Sequence, residues 1–232
     1  MSKALKELSR TLRIPFNRYF AFQRLKKYHA RSRSLEETID WAMNFGRHGY
    51  LTIHTLQKRS EIIALAKTVA ALKPKIILEI GTARGGTLLI WSSLASERVI
   101  SCDLVHRDAQ RPLLEALPPP GSTCKVTLLT GNSHDAAFKQ RVARALDGQK
   151  ADFIFIDGDH TESGVAQDYN DYKEFVRPGG IIAFHDIVES QPLPDNLVYH
   201  FWRKVKPGQV AEEFINDPNQ CGFGIGIIRL PA

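Results

Sequence analysis

The amino-acid sequence predicts an α/β sandwich of three layers, built on a mostly parallel, seven-stranded sheet that closes with an antiparallel hairpin and carries a helical N-terminal extension. Three observations predict it. Short apolar runs rich in β-branched residues alternate with helix-length amphipathic segments, as in a series of parallel crossover units. The strand candidates are continuously apolar rather than alternating, so both faces of the sheet should be covered. The last two candidates, "VAEEFI" (210–215) and "GFGIGIIRL" (222–230), are joined by "NDPNQC", too short for a helical crossover and therefore the loop of a hairpin.

The elements follow in order. Residues 1–34 hold ten Lys or Arg (Lys3, Lys6, Arg10, Arg13, Arg18, Arg24, Lys26, Lys27, Arg31, Arg33) against Glu7 alone. That net of +9 leaves −3 for the rest of a chain whose total is +6, so the basic character belongs to an arm. Within it, "NRYFAFQRLKKYH" interleaves Tyr19, Phe20, Phe22 and Tyr28 with cations. This suits a helix that lays an apolar face on the domain or on a second subunit, and a homo-oligomer through the arm is one expectation. An acidic partner, a lipid surface or nucleic acid are the other surfaces such charge would meet. "SLEETIDWAMNF" then sets Ser34 three residues before Glu37, a capping box that opens a helix. "SEIIALAKTVAALKP" offers Ser60 as a second cap and Pro74 as a stop. Strands are predicted at 75–80 ("KIILEI"), 98–103 ("RVISCD"), 125–130 ("KVTLLT"), 152–157 ("DFIFID") and 180–186 ("GIIAFHD"). The expected organisation is an extension over 1–56 and a Rossmann-like domain over 57–232.

Composition narrows the classes. No run of some 18 apolar residues occurs, so no membrane span is expected. No apolar segment follows the N-terminal cations, so a secretory signal is not expected and the cytoplasm is the default. Cys102, Cys124 and Cys221 are odd in number and lack metal-ligand spacing, which reads as free, mostly structural thiols.

The first strand runs into "LEIGTARGGTLLI", a glycine-rich turn between strand and helix. Gly81 permits a tight turn, Gly85 and Gly86 permit close backbone approach, and the following helix offers free N–H groups. A dinucleotide fingerprint would place glycine where Ala83 stands, which disfavours NAD. The acid Glu79 at the strand end would repel a diphosphate and attract a cationic ligand such as S-adenosylmethionine, with its sulfonium and ammonium groups. Asp103, 22 residues beyond Gly81, is placed to accept from two ribose hydroxyls.

With these motifs and the hairpin end, the chain resembles the class I S-adenosylmethionine-dependent methyltransferases over roughly residues 57–230. The stretch "FIDGDHTESGVAQDYNDYKEFVRPGGIIAFHDI" is similar to the branch that includes the cephalosporin-hydroxylase-like and macrolide-sugar O-methyltransferases, and more distantly to the catechol and caffeoyl-CoA O-methyltransferases. The resemblance implies that Glu79, Gly81, Thr82, Ala83 and Gly85 surround the methionine part of the cofactor, and that Asp103 holds the ribose. It further implies that Asn132 and Ser133 of "GNSHD" flank the adenine, with Asp157 beside the cofactor. In the metal-dependent enzymes of this kind a divalent ion is held at the ends of strands four and five, which nominates Asp157, His185 and Asp186. Bound Mg²⁺ would lower the pKa of an acceptor hydroxyl and orient it in line with the methyl group. Two departures stand out. His160 occupies the place of the catechol-type catalytic lysine and becomes the candidate general base. His185 is an unusual Mg²⁺ ligand, which admits Mn²⁺ or a substrate contact instead. Asp159 is either a supporting residue or a turn former.

The expected function is methyl transfer to a hydroxyl of a small molecule, a sugar or a natural-product scaffold. Two other classes remain open: an oxidoreductase or hydroxylase-associated cofactor binder, and a nucleic-acid binder using the arm. The net negative charge of the body disfavours the last.

Overall fold

The computed structural model describes residues 3–46 and 51–232. One seven-stranded sheet has the order β3-β2-β1-β4-β5-β7-β6. Its strands are β1 Ile76–Ile80, β2 Arg98–Asp103, β3 Lys125–Thr130, β4 Ala151–Ile156, β5 Val176–His185, β6 Val210–Phe214 and β7 Ile225–Arg229. β1 to β5 pair in parallel, and β7 enters antiparallel between β5 and β6. The α/β sandwich with its closing hairpin is thus the observed architecture. Strand order reverses between β1 and β4, and such a switch point opens a crevice at the carboxyl ends of the strands.

Helices cover both faces. α1 Lys3–His29, α2 Leu35–Met43, α3 Arg59–Ala71 and α4 Gly86–Leu94 precede β2; α5 Arg111–Glu115, α6 Ala136–Leu146, α7 Glu162–Tyr172 and α8 Val198–Val205 follow it. Every residue of β1 and β4 is buried, which is why their sequences read as unbroken apolar runs. Alternate residues then serve opposite cores. Ile77, Phe153 and Phe155 pack with Trp91 of α4 on one face, while Leu78, Ile154 and Ile156 pack on the other with Phe138, Val165 and Trp202. Trp91 meets both Phe153 and Phe155 edge-on, at 5.0 and 5.5 Å between ring centroids.

One sequence expectation is corrected. α3 begins at Arg59 with Lys58 in the cap position, so Ser60 lies inside the first turn and donates to Asn216 Oδ1 at 2.6 Å instead of capping. The N-terminal segment packs on the domain. Ala21, Leu25, Tyr28, Ile39, Ala42, Phe45, Leu51 and Ile53 all belong to the same core as β1 and α4. Beyond that packed half, α1 exposes Leu12, Phe16, Tyr19 and Phe20. The capping box does form: Ser34 Oγ accepts from the Glu37 N–H at 3.2 Å, and Glu37 accepts from the Ser34 N–H at 3.0 Å. No helix among the described residues is long and apolar enough to cross a membrane.

Candidate active site

A cavity of about 890 Å³ opens at the carboxyl ends of β1 to β5. Its walls come from successive strand ends: Gly81, Thr82 and Ala83 after β1; Asp103 after β2; Asn132, Ser133 and His134 after β3; Asp157 and His160 after β4; His185 and Asp186 after β5. Five separate segments of sequence therefore meet in one cleft.

The turn after β1 is held by backbone geometry. Gly81 has φ +102°, and a Cβ there would stand 2.0 Å from the Asp157 carbonyl oxygen, so the crossing of this turn over the β4 end admits only glycine. Gly85 adopts φ +75° as the cap of α4, where a Cβ would strike Leu114. Its close neighbour is protein, and Gly85 is not among the residues that line the cavity. The Asp103 carboxylate accepts from the N–H groups of Ala83 (2.7 Å) and Val105 (3.0 Å), one on each oxygen. Each oxygen retains a lone pair, enough for two hydroxyls.

Glu79 lies one layer deeper than its sequence position implied. It shares the β1 face with Ile77, is fully buried, and does not line the cavity. Burial pushes its carboxyl up to about 7, against the pull of Ser101, Thr87 and Trp91. On the far wall, Asn132 Oδ1 accepts from the His134 N–H at 3.0 Å, and the Ser133 carbonyl accepts from Tyr172 Oη at 2.7 Å. Beneath them is the fully buried Asp168, its carboxyl raised by burial to about 6 and lying 3.3 Å from His134 Nε2.

At the floor, two carboxylates and two imidazoles converge. Asp157 Oδ1 is 3.3 Å from His160 Nε2 and 3.1 Å from His185 Nδ1, while its Oδ2 accepts from Gln57 Nε2 at 3.1 Å. Burial alone would raise the Asp157 carboxyl, yet the two imidazoles outweigh it and hold the group well below the usual range. His160 is raised to about 9, chiefly by its hydrogen bond to Asp157, with burial opposing. Protonated, it sets Nδ1 against Asp186 Oδ2 at 3.4 Å; neutral, its Nδ1 accepts from Asn196 Nδ2 at 3.1 Å. Both protonation states thus have partners, as a group that gains and loses a proton requires. Asp186 has φ +64°, a strained conformation for a residue with a side chain, and is fixed by Asn196 Nδ2 at 2.5 Å.

A divalent cation fits part of this group. Ligand atoms of Asp157, His160 and Asp186 lie within 4.8 Å of one another. The trio includes His160 and not His185, whose Nδ1 is engaged between Asp157 and Asp186 Oδ1 (3.2 Å) and whose Nε2 is buried without a partner among the described residues. Two carboxylates supply the hard, anionic oxygens that Mg²⁺ prefers, and an imidazole in the set extends the fit to Mn²⁺. Asp159 is a turn former: its Oδ1 accepts from the Thr161 N–H at 2.9 Å, at the start of α7. Gln57, His54 and Asn196 escaped the sequence reading as site residues. None of the three lies in a motif, and Gln57 is 100 positions from its partner.

Residues 43–225 match the family model described as rhamnosyl O-methyltransferase/CmcI. The chain belongs to this family. It is accordingly an S-adenosylmethionine-dependent methyltransferase of the class I, CmcI-related branch, and the oxidoreductase alternative falls away. No curated protein matches it individually. Among solved structures it is similar to an O-methyltransferase from Bacillus cereus in complex with S-adenosylhomocysteine. That similarity has 18% identity and a TM-score of 0.61, covering 90% of this chain and 96% of that one. A second is the O-methyltransferase TomG of tomaymycin synthesis from Streptomyces achromogenes, in complex with S-adenosylmethionine (13%, TM-score 0.60, 87% and 92%). A third is the MycE methyltransferase of the mycinamycin pathway, in complex with Mg and S-adenosylhomocysteine (17%, TM-score 0.55, 87% and 54%). At these identities the likeness is one of fold.

Proposed function

We propose that this family member transfers the methyl group of S-adenosylmethionine to a hydroxyl of a small sugar or natural-product-like molecule, with His160 receiving the proton. The observation that carries the reading is the convergence of Asp157, His160 and Asp186 at the floor of the cleft, against the turn after β1. The cofactor would lie along the turn after β1, its ribose on Asp103 and its adenine by Asn132 and Ser133. Asp157 and Asp186 would hold Mg²⁺ or Mn²⁺, which when bound lowers the pKa of an acceptor hydroxyl and fixes its direction.

The chain's own residues supply the rest. His160 takes the acceptor proton as the oxygen lone pair forms the new C–O bond; the C–S bond breaks and its electrons remain on sulfur. Gln57 and His185 orient Asp157, and Asn196 spans His160 and Asp186. The acceptor end of the cavity adds Leu56 and Leu193, both largely exposed, with Pro192 and Phe223. An apolar rim above a charged floor suits a scaffold with one hydroxylated edge and one apolar face. The outward row of α1 is a surface for a second copy of the chain. Product analysis with hydroxylated acceptors tests the reading: methylated product that requires added Mg²⁺ or Mn²⁺ after EDTA treatment is expected, and metal-independent turnover unaffected by Asp157→Ala would overturn the metal assignment.

A further inference from the structure

Beneath the cofactor side of the cleft, a polar row runs between two cores. Arg111 Nη2 donates to Thr130 Oγ1 at 3.2 Å, and Thr130 Oγ1 is 2.9 Å from His106 Nδ1. His106 Nε2 is 3.0 Å from Thr82 Oγ1, Thr82 Oγ1 is 2.5 Å from Ser101 Oγ, and Ser101 Oγ contacts Glu79 Oε2. Glu79 and Ser101 are register partners on β1 and β2, which places both side chains on one face. Thr82, Ser101, Glu79 and His106 are all buried.

With Glu79 ionised, the carboxylate end sets the direction of the row as far as His106. A guanidinium only donates and a carboxylate only accepts. Thr130 accepts from Arg111, and its hydroxyl can either donate to His106 Nδ1 or accept from it. His106 donates through Nε2–H to Thr82, Thr82 donates to Ser101, and Ser101 donates to Glu79. The Nε2–H of His106 is therefore required, and both the neutral Nε2–H tautomer and the imidazolium carry it.

We propose that His106 is a positioning residue for the cofactor: it locks the turns after β1 and β2 and the end of β3 into one frame through this oriented hydrogen-bond chain. The reading rests on the cofactor lying along those three strand ends, as set out above. Thr82 belongs to the cofactor turn, His106 follows the ribose-binding Asp103, and Thr130 immediately precedes the adenine-side loop. None of the reacting groups is touched, so the effect falls on cofactor affinity and not on the chemical step. The buried site favours the neutral form of His106, in which Nδ1 accepts from Thr130. Burial lowers its pKa; the charged groups acting on it are Asp103 of β2, which raises it, and Arg111 and Glu115 of α5, which lower and raise it. Thr82 and Thr130 face it with hydroxyls.

Calorimetric titration of full-length protein with S-adenosylhomocysteine, at several pH values, tests this. His106→Leu and Thr82→Val should each weaken binding by about tenfold or more, the scale of one lost hydrogen bond in a charge-terminated chain. His106→Asn, which can still donate and accept, should restore much of the affinity. Imidazole ¹⁵N shifts should report the Nε2–H tautomer in wild type and its loss in Ser101→Ala. Wild type that binds, with His106→Leu of equal affinity, overturns the proposal alone. Wild type that does not bind overturns the cofactor placement and this proposal with it. Should His106→Leu fail to fold, Ser101→Ala, a smaller change at the next link, decides the matter by tautomer and affinity.

Discussion

At the scale of single residues the site is a balance between two anions and the imidazoles between them. In the proposed reaction, removing the imidazole of His160 takes away the proton acceptor and spares the residues assigned to the cofactor. His160→Ala should therefore lower kcat by about 10²–10⁴-fold, the usual weight of general base catalysis, with S-adenosylhomocysteine affinity retained. The same residue marks stability. Its folded pKa of about 9 exceeds the ordinary 6.5, so the folded state holds the extra proton between those values. Its contribution is fully present below about pH 6.5 and is lost as pH rises toward 9. Urea midpoints of metal-free protein should fall more over this interval in wild type than in His160→Asn; parallel profiles would remove the His160–Asp157 pair as the cause. That Asp157, His160 and Asp186 meet at one edge was legible because Asp157 and Asp186 directly follow β4 and β5, His160 lies in the short turn after β4, and parallel strands deliver their carboxyl ends to one edge; which imidazole joins the two carboxylates was not. Gln57 and Asn196 were not, since their place beside Asp157 and Asp186 depends on how distant loops return. Glu79 shows a third case. Its residue type was readable, but strand alternation puts it on the Ile77 face, toward Trp91 and away from the cleft.

At the scale of elements, strand positions were readable to within a few residues because continuous burial leaves an unmistakable apolar run. β5 starts four residues earlier than its apolar run, at Val176, which pairs with Ala151 before a shift of register; pairing resumes at Ile181 opposite Phe153. Ser60 misled because a serine before an apolar run looks like a cap, whereas the first turn of α3 serves another purpose. Glu61, buried there, accepts from the Asn216 N–H, Gln220 Nε2 and the Gly224 N–H, tying α3 to the loop between β6 and β7. The genuine cap at Ser34 should lose about 1 kcal/mol in Ser34→Ala, read from denaturant unfolding. A larger loss is expected from Phe155→Ala, which empties the space beside Trp91 and Phe153 at a cost of about 3–5 kcal/mol. Because Phe155 precedes Asp157 by two residues and shares its face, a loss of cofactor affinity should accompany the loss of stability.

At the scale of the whole molecule, α1 is the element whose sequence pattern the fold explains only by half. Ala21, Leu25 and Tyr28 recur at helical spacing and enter the core, with Arg24 and Arg33 stacked on Trp41 at 4.1 and 4.8 Å. Leu12, Phe16, Tyr19 and Phe20 recur at the same spacing on a roughly opposite face, and all are more than half exposed. Two apolar faces on one helix call for two partners, and the domain supplies one. Arm against arm would bring two strongly basic segments together, since residues 1–34 carry ten cations and one acid. The arm against the body of a second copy instead sets that charge on a surface whose own net is −3. Light scattering on the full chain should therefore give a dimer or larger closed assembly whose dissociation is promoted by salt. Phe16→Glu combined with Phe20→Glu should yield a monomer of unchanged unfolding midpoint, because neither side chain enters the core. A wild-type monomer at high protein concentration would exclude the second copy as the partner of this face.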